Sequence, residues 1–183
     1  LLGLPYTLKF LWAPLADRYC LSQLGRRRSW LIASQLLLTA SIAALGFSEP
    51  TQILTTTLAM SMLTAFFSAT QDTVIDAYRR ENLLDQEQGL GAALYVNGYR
   101  VAMLLVGGGG LILADFVGFH ALYLTAAALM LSSILITLSA PEPNTGETHP
   151  SSLKEATLLP LISFFARRSA WTILAFIVLY KLG

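Results

Sequence analysis

The chain has 183 residues, 55% of them apolar, and its 12 Lys+Arg against 11 Asp+Glu leave a formal charge of +1. The charges are unevenly spread: 20 uncharged residues separate Arg28 from Glu49, 22 separate Glu49 from Asp72 and 26 separate Asp115 from Glu142. Each gap is long enough to cross about 30 Å of hydrocarbon as a helix, which excludes a water-soluble domain. One cysteine, Cys20, and two distant histidines, His120 and His149, exclude a disulfide framework and give no basis for a metal site. No cofactor is expected.

In chain order, six apolar segments follow one another at 1–16, 30–48, 52–77, 91–113, 119–140 and 170–183. The first and last are short, and the chain opens on Leu1 and closes on Gly183 inside apolar sequence. The expectation is an internal piece of a longer protein, with four complete crossings and two partial ones. Between the segments, 17–29 carries four arginines, 49–51 no cation, 78–90 two, 114–118 none and 141–169 three Lys/Arg. The positive-inside rule puts the basic loops in the cytoplasm. Nine of the 12 cations are then cytoplasmic, leaving Lys9, Arg100 and Lys181 inside spans. The fold class is all-α, a polytopic membrane bundle.

The loop 141–169 begins with Pro141, Pro143, Asn144, Gly146 and Pro150, the composition of a linker. Its continuation, 151–168, mixes apolar residues with Lys154, Glu155, Arg167 and Arg168, as a helix at the membrane surface does, although Pro160 interrupts it. The chain thus divides into an incomplete helical half (1–140), a cytoplasmic linker (141–169) and the start of a second half (170–183). Gly107–Gly110, four glycines inside a span, is expected to allow close helix approach.

Ionisable groups inside a membrane cost at least ~2.5 kcal/mol at its centre and usually face a protein interior or a wet cavity. Measured from the cytoplasmic ends at ~1.5 Å per residue, Asp72 lies about 9 Å deep, Lys9 about 12 Å, Arg100 about 15 Å and Lys181 about 16 Å. Asp76 stands one turn from Asp72 on the same face, within reach of Arg79. A carboxylate such as Asp72 must be paired or protonated at that depth, which is what proton coupling requires, and Gln71 adjoins it. Asn97 shares a helix face with Arg100, and Tyr99 flanks it. Three deep cations against one or two carboxylates favour an anionic ligand held by Lys9, Arg100 and Lys181, with Asn97 and Tyr99 beside them.

Asp17-Arg18 followed by Gly25-Arg26-Arg27-Arg28 resembles the loop signature of the major facilitator superfamily, with Ala13 where a glycine usually begins it and a longer spacer before Gly25. There the acid and bases clamp the cytoplasmic helix ends, so the resemblance assigns Asp17, Arg18, Arg26 and Arg27 to a conformational gate. Longer strings are more specific. Leu-Pro-Tyr-Thr-Leu-Lys-Phe-Leu-Trp-Ala-Pro-Leu-Ala-Asp-Arg-Tyr from Leu4, Gln-Asp-Thr-Val-Ile-Asp-Ala-Tyr from Gln71, Gly-Tyr-Arg-Val-Ala-Met-Leu from Gly98 and Leu-Tyr-Lys-Leu-Gly from Leu179 look like the bacterial muropeptide permease family of AmpG type.

The match runs in order over nearly the whole chain and implies the second to sixth transmembrane helices and the start of the seventh, of about twelve. The resemblance implies a secondary transporter rather than an enzyme. It would import anhydromuropeptides, products of cell-wall turnover, through the bacterial inner membrane on the proton gradient, as a monomer without nucleic-acid partners. It carries over Lys9, Gln71, Asp72, Asp76, Arg100 and Lys181. Two alternatives stay open: the same fold carrying another anion such as acetyl-coenzyme A, and a polytopic enzyme acting on a lipid-linked glycan.

Overall fold

The computed structural model describes residues 2–48, 54–143, 158–159 and 162–182, apart from the side chains of 180–182. Among the described residues all regular structure is helical. The first segment is not one helix: α1 (Leu4–Leu8) passes through a 3-10 turn, Lys9–Leu11, into α2 (Ala13–Arg18). Pro14 is the cause, because it offers no N–H to the carbonyl of Phe10 and its ring crowds that carbonyl. The expected span at 1–16 is therefore interrupted at Lys9.

α3 (Arg26–Gly46) packs between α4 (Leu54–Asn82) and α6 (Gly110–Ser139). Its buried side is polar as well as apolar, with Ser34, Gln35 and Ser41 among Leu31 and Leu38, while Leu36 and Leu37 face outward. That inversion suits a lipid solvent, where small and hydrogen-bonding residues rather than apolar ones join helices. Gln35 and Thr137 make the point: the Gln35 amide donates to Thr137 Oγ1 at 2.8 Å, and that hydroxyl lies 3.1 Å from Gln35 Oε1.

α5 (Gln88–Met103) continues through a π-helical turn, Leu104–Gly109, into α6. The expected loop at 114–118 shrinks to one residue: the chain is helical up to Gly118, which alone leaves helical geometry, at φ +79°. Only glycine takes that conformation without strain. Beyond it α6 folds back, so that Leu113 and Leu122, and Gly109 and Ala126, line one groove.

Among the described residues the glycine run meets no neighbouring helix closely: a Cβ at Gly107, Gly108 or Gly109 would find nothing within 4 Å, and at Gly110 only Leu122, at 3.6 Å. The run instead ends the π-helical turn, where residues of low helix propensity weaken the regular ladder.

Arg26–Gly46 and Gln88–Ser139 are long and apolar enough to cross a membrane, the second as two arms about Gly118. α4 has the length, at 29 residues, but carries Asp72, Asp76 and several threonines. α7 (Ala170–Leu182) corresponds to the last apolar segment. The short loop at 49–51 and most of the linker and the expected surface helix at 151–168 lie outside the described residues; 158–159 and 162–165 are helical.

The two ends of the bundle differ as the loop charges require. One gathers Asp17, Arg26, Arg27, Glu81 and Glu142. At the other, Phe47 meets His120 edge to face, ring centroids 4.7 Å apart, and His120 Nδ1 lies 2.7 Å from the carbonyl of Gly46.

Candidate functional site

The first segment lies against the middle of α4, and its register there is set by polar pairs. The Tyr6 hydroxyl is 2.7 Å from Ser68 Oγ, and Trp12 Nε1 donates to Thr70 Oγ1 at 3.1 Å. Between these two contacts, at the 3-10 turn imposed by Pro14, Lys9 Nζ donates to Asp72 Oδ2 at 2.7 Å and stands 3.9 Å from Asp76 Oδ2.

The other oxygen of Asp72 is also occupied, since the Tyr95 hydroxyl of α5 donates to Oδ1 at 2.5 Å. Arg79 completes a ring of five residues. Its guanidinium lies over the Tyr95 ring, 5.1 Å from the centroid, and bonds Asp76 Oδ1 at 3.2 Å. The order is Lys9, Asp72, Tyr95, Arg79, Asp76 and back to Lys9. The Lys9 and Asp72 side chains retain 33% and 27% of their exposure, so the ring is reachable and not sealed. An apolar cavity of about 190 Å³ beside it, walled by Trp12, Trp30, Phe66 and Phe67, is lined by no charged residue.

Of the residues singled out from the sequence, the structure brings Lys9, Asp72 and Asp76 together. Gln71 adjoins them with its Oε1 buried and unpartnered. Asn97, Tyr99 and Arg100 are exposed on α5, and Arg100 makes no hydrogen bond or ion pair among the described residues. The Lys181 side chain lies outside the described part. Lys9 is thus a paired cation, and among the described deep cations Arg100 alone stands apart from a carboxylate. Tyr95 was not singled out by the sequence reading, although a lone tyrosine hydroxyl between Leu94 and Val96 in an apolar span was a signal for it.

At the basic end of the bundle, Arg27 is buried and bonds both Asp17, at 2.8 Å, and Glu81. Arg26 joins Glu81 at 3.1 Å and donates to the carbonyl of Asp17. Burial alone would lower the pKa of Arg27, but the bonds and charges of Glu81 and Asp17 outweigh it and hold the group above its ordinary value. Arg18 stays outside this cluster, stacked over the Tyr19 ring at 5.2 Å.

Two acids that the sequence reading left unassigned, Glu81 and Glu142, are central here. Glu142 caps α3 from outside: its carboxylate accepts the backbone N–H of Arg27 at 2.8 Å and of Arg28 at 3.1 Å. Gly25, the residue before the helix, offers no side-chain cap and sits at φ +104° against that carboxylate. The Tyr78 hydroxyl donates to the carbonyl of Pro141 at 2.7 Å, and Arg28 donates to that of Leu138. Burial, and then the charge of Glu142, push the Tyr78 phenol above its usual pKa. One end each of α2, α3, α4 and α6 is tied here.

An antiparallel bundle with an ion-pair clamp at one end and a charged ring between its helices is the architecture of a facilitator-type transport protein. The chain belongs to the Major Facilitator Superfamily, whose family model matches residues 4–181, and is a multi-pass membrane protein. It is 48% identical over its whole length to the anhydromuropeptide permease of Escherichia coli (strain K12), covering 38% of that protein. It is 45% identical, over 98% of its length and 44% of the relative, to an uncharacterized protein of Haemophilus influenzae. A putative transporter of Rickettsia conorii, AmpG 4, is 31% identical over 98% of the chain and 46% of its own length. The chain therefore spans less than half the length of these curated relatives.

Proposed function

We propose that the chain is part of a proton-coupled secondary transporter, not an enzyme, that imports anhydromuropeptides across the bacterial inner membrane as a monomer. The observation that carries this reading is the Lys9–Asp72 pair, 2.7 Å apart inside a span with Asp76 at 3.9 Å from the same ammonium. The 48% identity to the E. coli anhydromuropeptide permease supplies the cargo.

The arrangement suits symport. With Asp72 ionised, Lys9 is neutralised within the protein and offers little to an anion. A proton on Asp72 removes the nearer partner and leaves the ammonium only Asp76, at 3.9 Å, so that it can take a carboxylate of the cargo and proton and anion bind together. Asp76 and Gln71 belong to the same proton site. Arg100, with Asn97 and Tyr99, and Lys181 supply further contacts to the cargo, near the midplane where facilitator folds hold substrate between two rocking halves. Asp17, Arg26 and Arg27 form the cytoplasmic gate, with Arg18 beside them on the Tyr19 ring. Uptake of labelled anhydromuropeptide into proteoliposomes tests the cargo assignment. Arg100→Ala in the full-length transporter abolishes uptake on this account, and uptake at the wild-type rate refutes the role of Arg100.

A further inference from the structure

We infer that Tyr95 is the positioning residue that transmits the proton state of Asp72 to α5, the helix that carries Asn97 and Arg100. This rests on the proton-coupling reading above.

Tyr95 has two separate attachments. Its hydroxyl donates to Asp72 Oδ1 at 2.5 Å, and its ring face receives the Arg79 guanidinium at 5.1 Å. Asp72 and Arg79 both belong to α4, seven positions apart and so about two turns along one face. One α5 side chain therefore spans the two ends of the charged ring. Among the described residues Tyr95 is the α5 member of that ring; Lys9 comes from the 3-10 turn and the other three come from α4.

The bond to Asp72 depends on charge. A carboxylate accepts from two donors at once, here Lys9 on one oxygen and Tyr95 on the other. Protonation removes most of the attraction for both, and Lys9 and Tyr95 are released by the same event. Arg100 is five residues beyond Tyr95 on the same continuous helix, about 7.5 Å along its axis. A shift of α5 on release of Tyr95 carries Arg100 with it. The proton site and the proposed anion site, on different helices, are thereby joined by one hydroxyl.

The arrangement separates the two halves of the tyrosine. Tyr95→Phe keeps the ring for Arg79 and removes the bond to Asp72; Tyr95→Leu removes both. The test uses the full-length transporter in proteoliposomes, with gradient-driven accumulation and gradient-free exchange of labelled anhydromuropeptide measured side by side. Tyr95→Phe is expected to keep exchange within about twofold of wild type while accumulation falls about tenfold, a loss near the size of one hydrogen bond to a charged acceptor. Equal accumulation by Tyr95→Phe and wild type overturns the inference. Failure of the wild-type protein to accumulate the cargo overturns the functional reading instead.

Infrared titration gives a readout independent of cargo and of transport. The carboxylic-acid band that Asp72→Asn deletes should appear in Tyr95→Phe at a higher pH than in wild type, since a donor to the charged form has been lost. An unmoved band overturns the inference even if transport is impaired. Tyr95→Leu, which also takes the ring from beneath Arg79, should lose exchange as well.

Discussion

Lys9 and Asp72 stand 63 residues apart in sequence and 2.7 Å apart in space, joined at a point where Pro14 has broken the first helix. Neither residue is explained by its own helix. A lysine in a 3-10 turn and an aspartate in a long helix each bear a membrane cost that the other does most to offset. Lys9→Ala and Asp72→Ala are therefore non-additive. A double-mutant cycle on detergent-solubilised transporter, read by thermal unfolding, should return a coupling of about 0.5–3 kcal/mol. Single effects that sum to the double would show the contact to be energetically empty.

Glu142 acts as the N-cap that Gly25 lacks, reaching α3 from beyond the end of α6. Glu142→Ala is expected to lower stability by about 1 kcal/mol, the usual worth of such a cap. Glu142→Gln retains an acceptor oxygen and should lose less. A melting-temperature ranking of wild type, Gln, then Ala checks this, and identical melting of all three contradicts it.

Gly25 is constrained twice. Its φ of +104° disfavours any side chain, and a Cβ there would lie 2.4 Å from the Glu142 carboxyl carbon. Gly25→Ala should therefore cost about 1 kcal/mol or more. Combining it with Glu142→Ala removes the steric part, so the double variant should be more stable than the two single losses added together. Strict additivity would mean that the backbone conformation alone sets the cost.

Tyr78 gives the ion-pair clamp an alkaline limit. Its folded pKa is raised above 10.0, first by burial and then by Glu142. A raised folded pKa means that the folded state holds the phenolic proton more tightly. The stabilisation is complete below the unfolded value and is lost as pH rises through the folded one. Thermal unfolding followed from pH 8 upward should show a decline beginning near pH 10 that is smaller in Tyr78→Phe. Arg27 moves in the same direction from a much higher starting value, so it stays charged throughout that range and cannot supply the same step. A decline unchanged in Tyr78→Phe would assign it elsewhere.

The sequence foretold the bundle because lipid allows so few solutions: the three uncharged gaps became α3, most of α4 and the arm beyond Gly118, and the loop cations marked one end. Asp17, Arg26 and Arg27 were legible from their motif, and Asp72 and Asp76 from being in the wrong solvent. What stayed hidden was pairing across long separations. Glu81 and Glu142 look like ordinary loop acids until helix ends bring them to Arg27. Lys9 read as a cation free for an anion because nothing local shows that two carboxylates of α4 face it. Arg18 matched the motif but turned to Tyr19, an adjacent ring that spacing alone does not weigh. The 3-10 turn at Lys9–Leu11 was foreseeable from Pro14, and it is that turn that presents Lys9 to α4.

The central claim, that Asp72 holds the coupling proton of a muropeptide importer, is tested most directly by one comparison. Full-length wild type and Asp72→Asn are reconstituted in proteoliposomes, an acid-outside pH gradient is imposed, and internal labelled anhydromuropeptide is measured against the outside concentration. The account predicts that wild type accumulates the cargo above its external concentration while Asp72→Asn reaches equality and stops, whatever the gradient. Accumulation by Asp72→Asn to the wild-type ratio would contradict it.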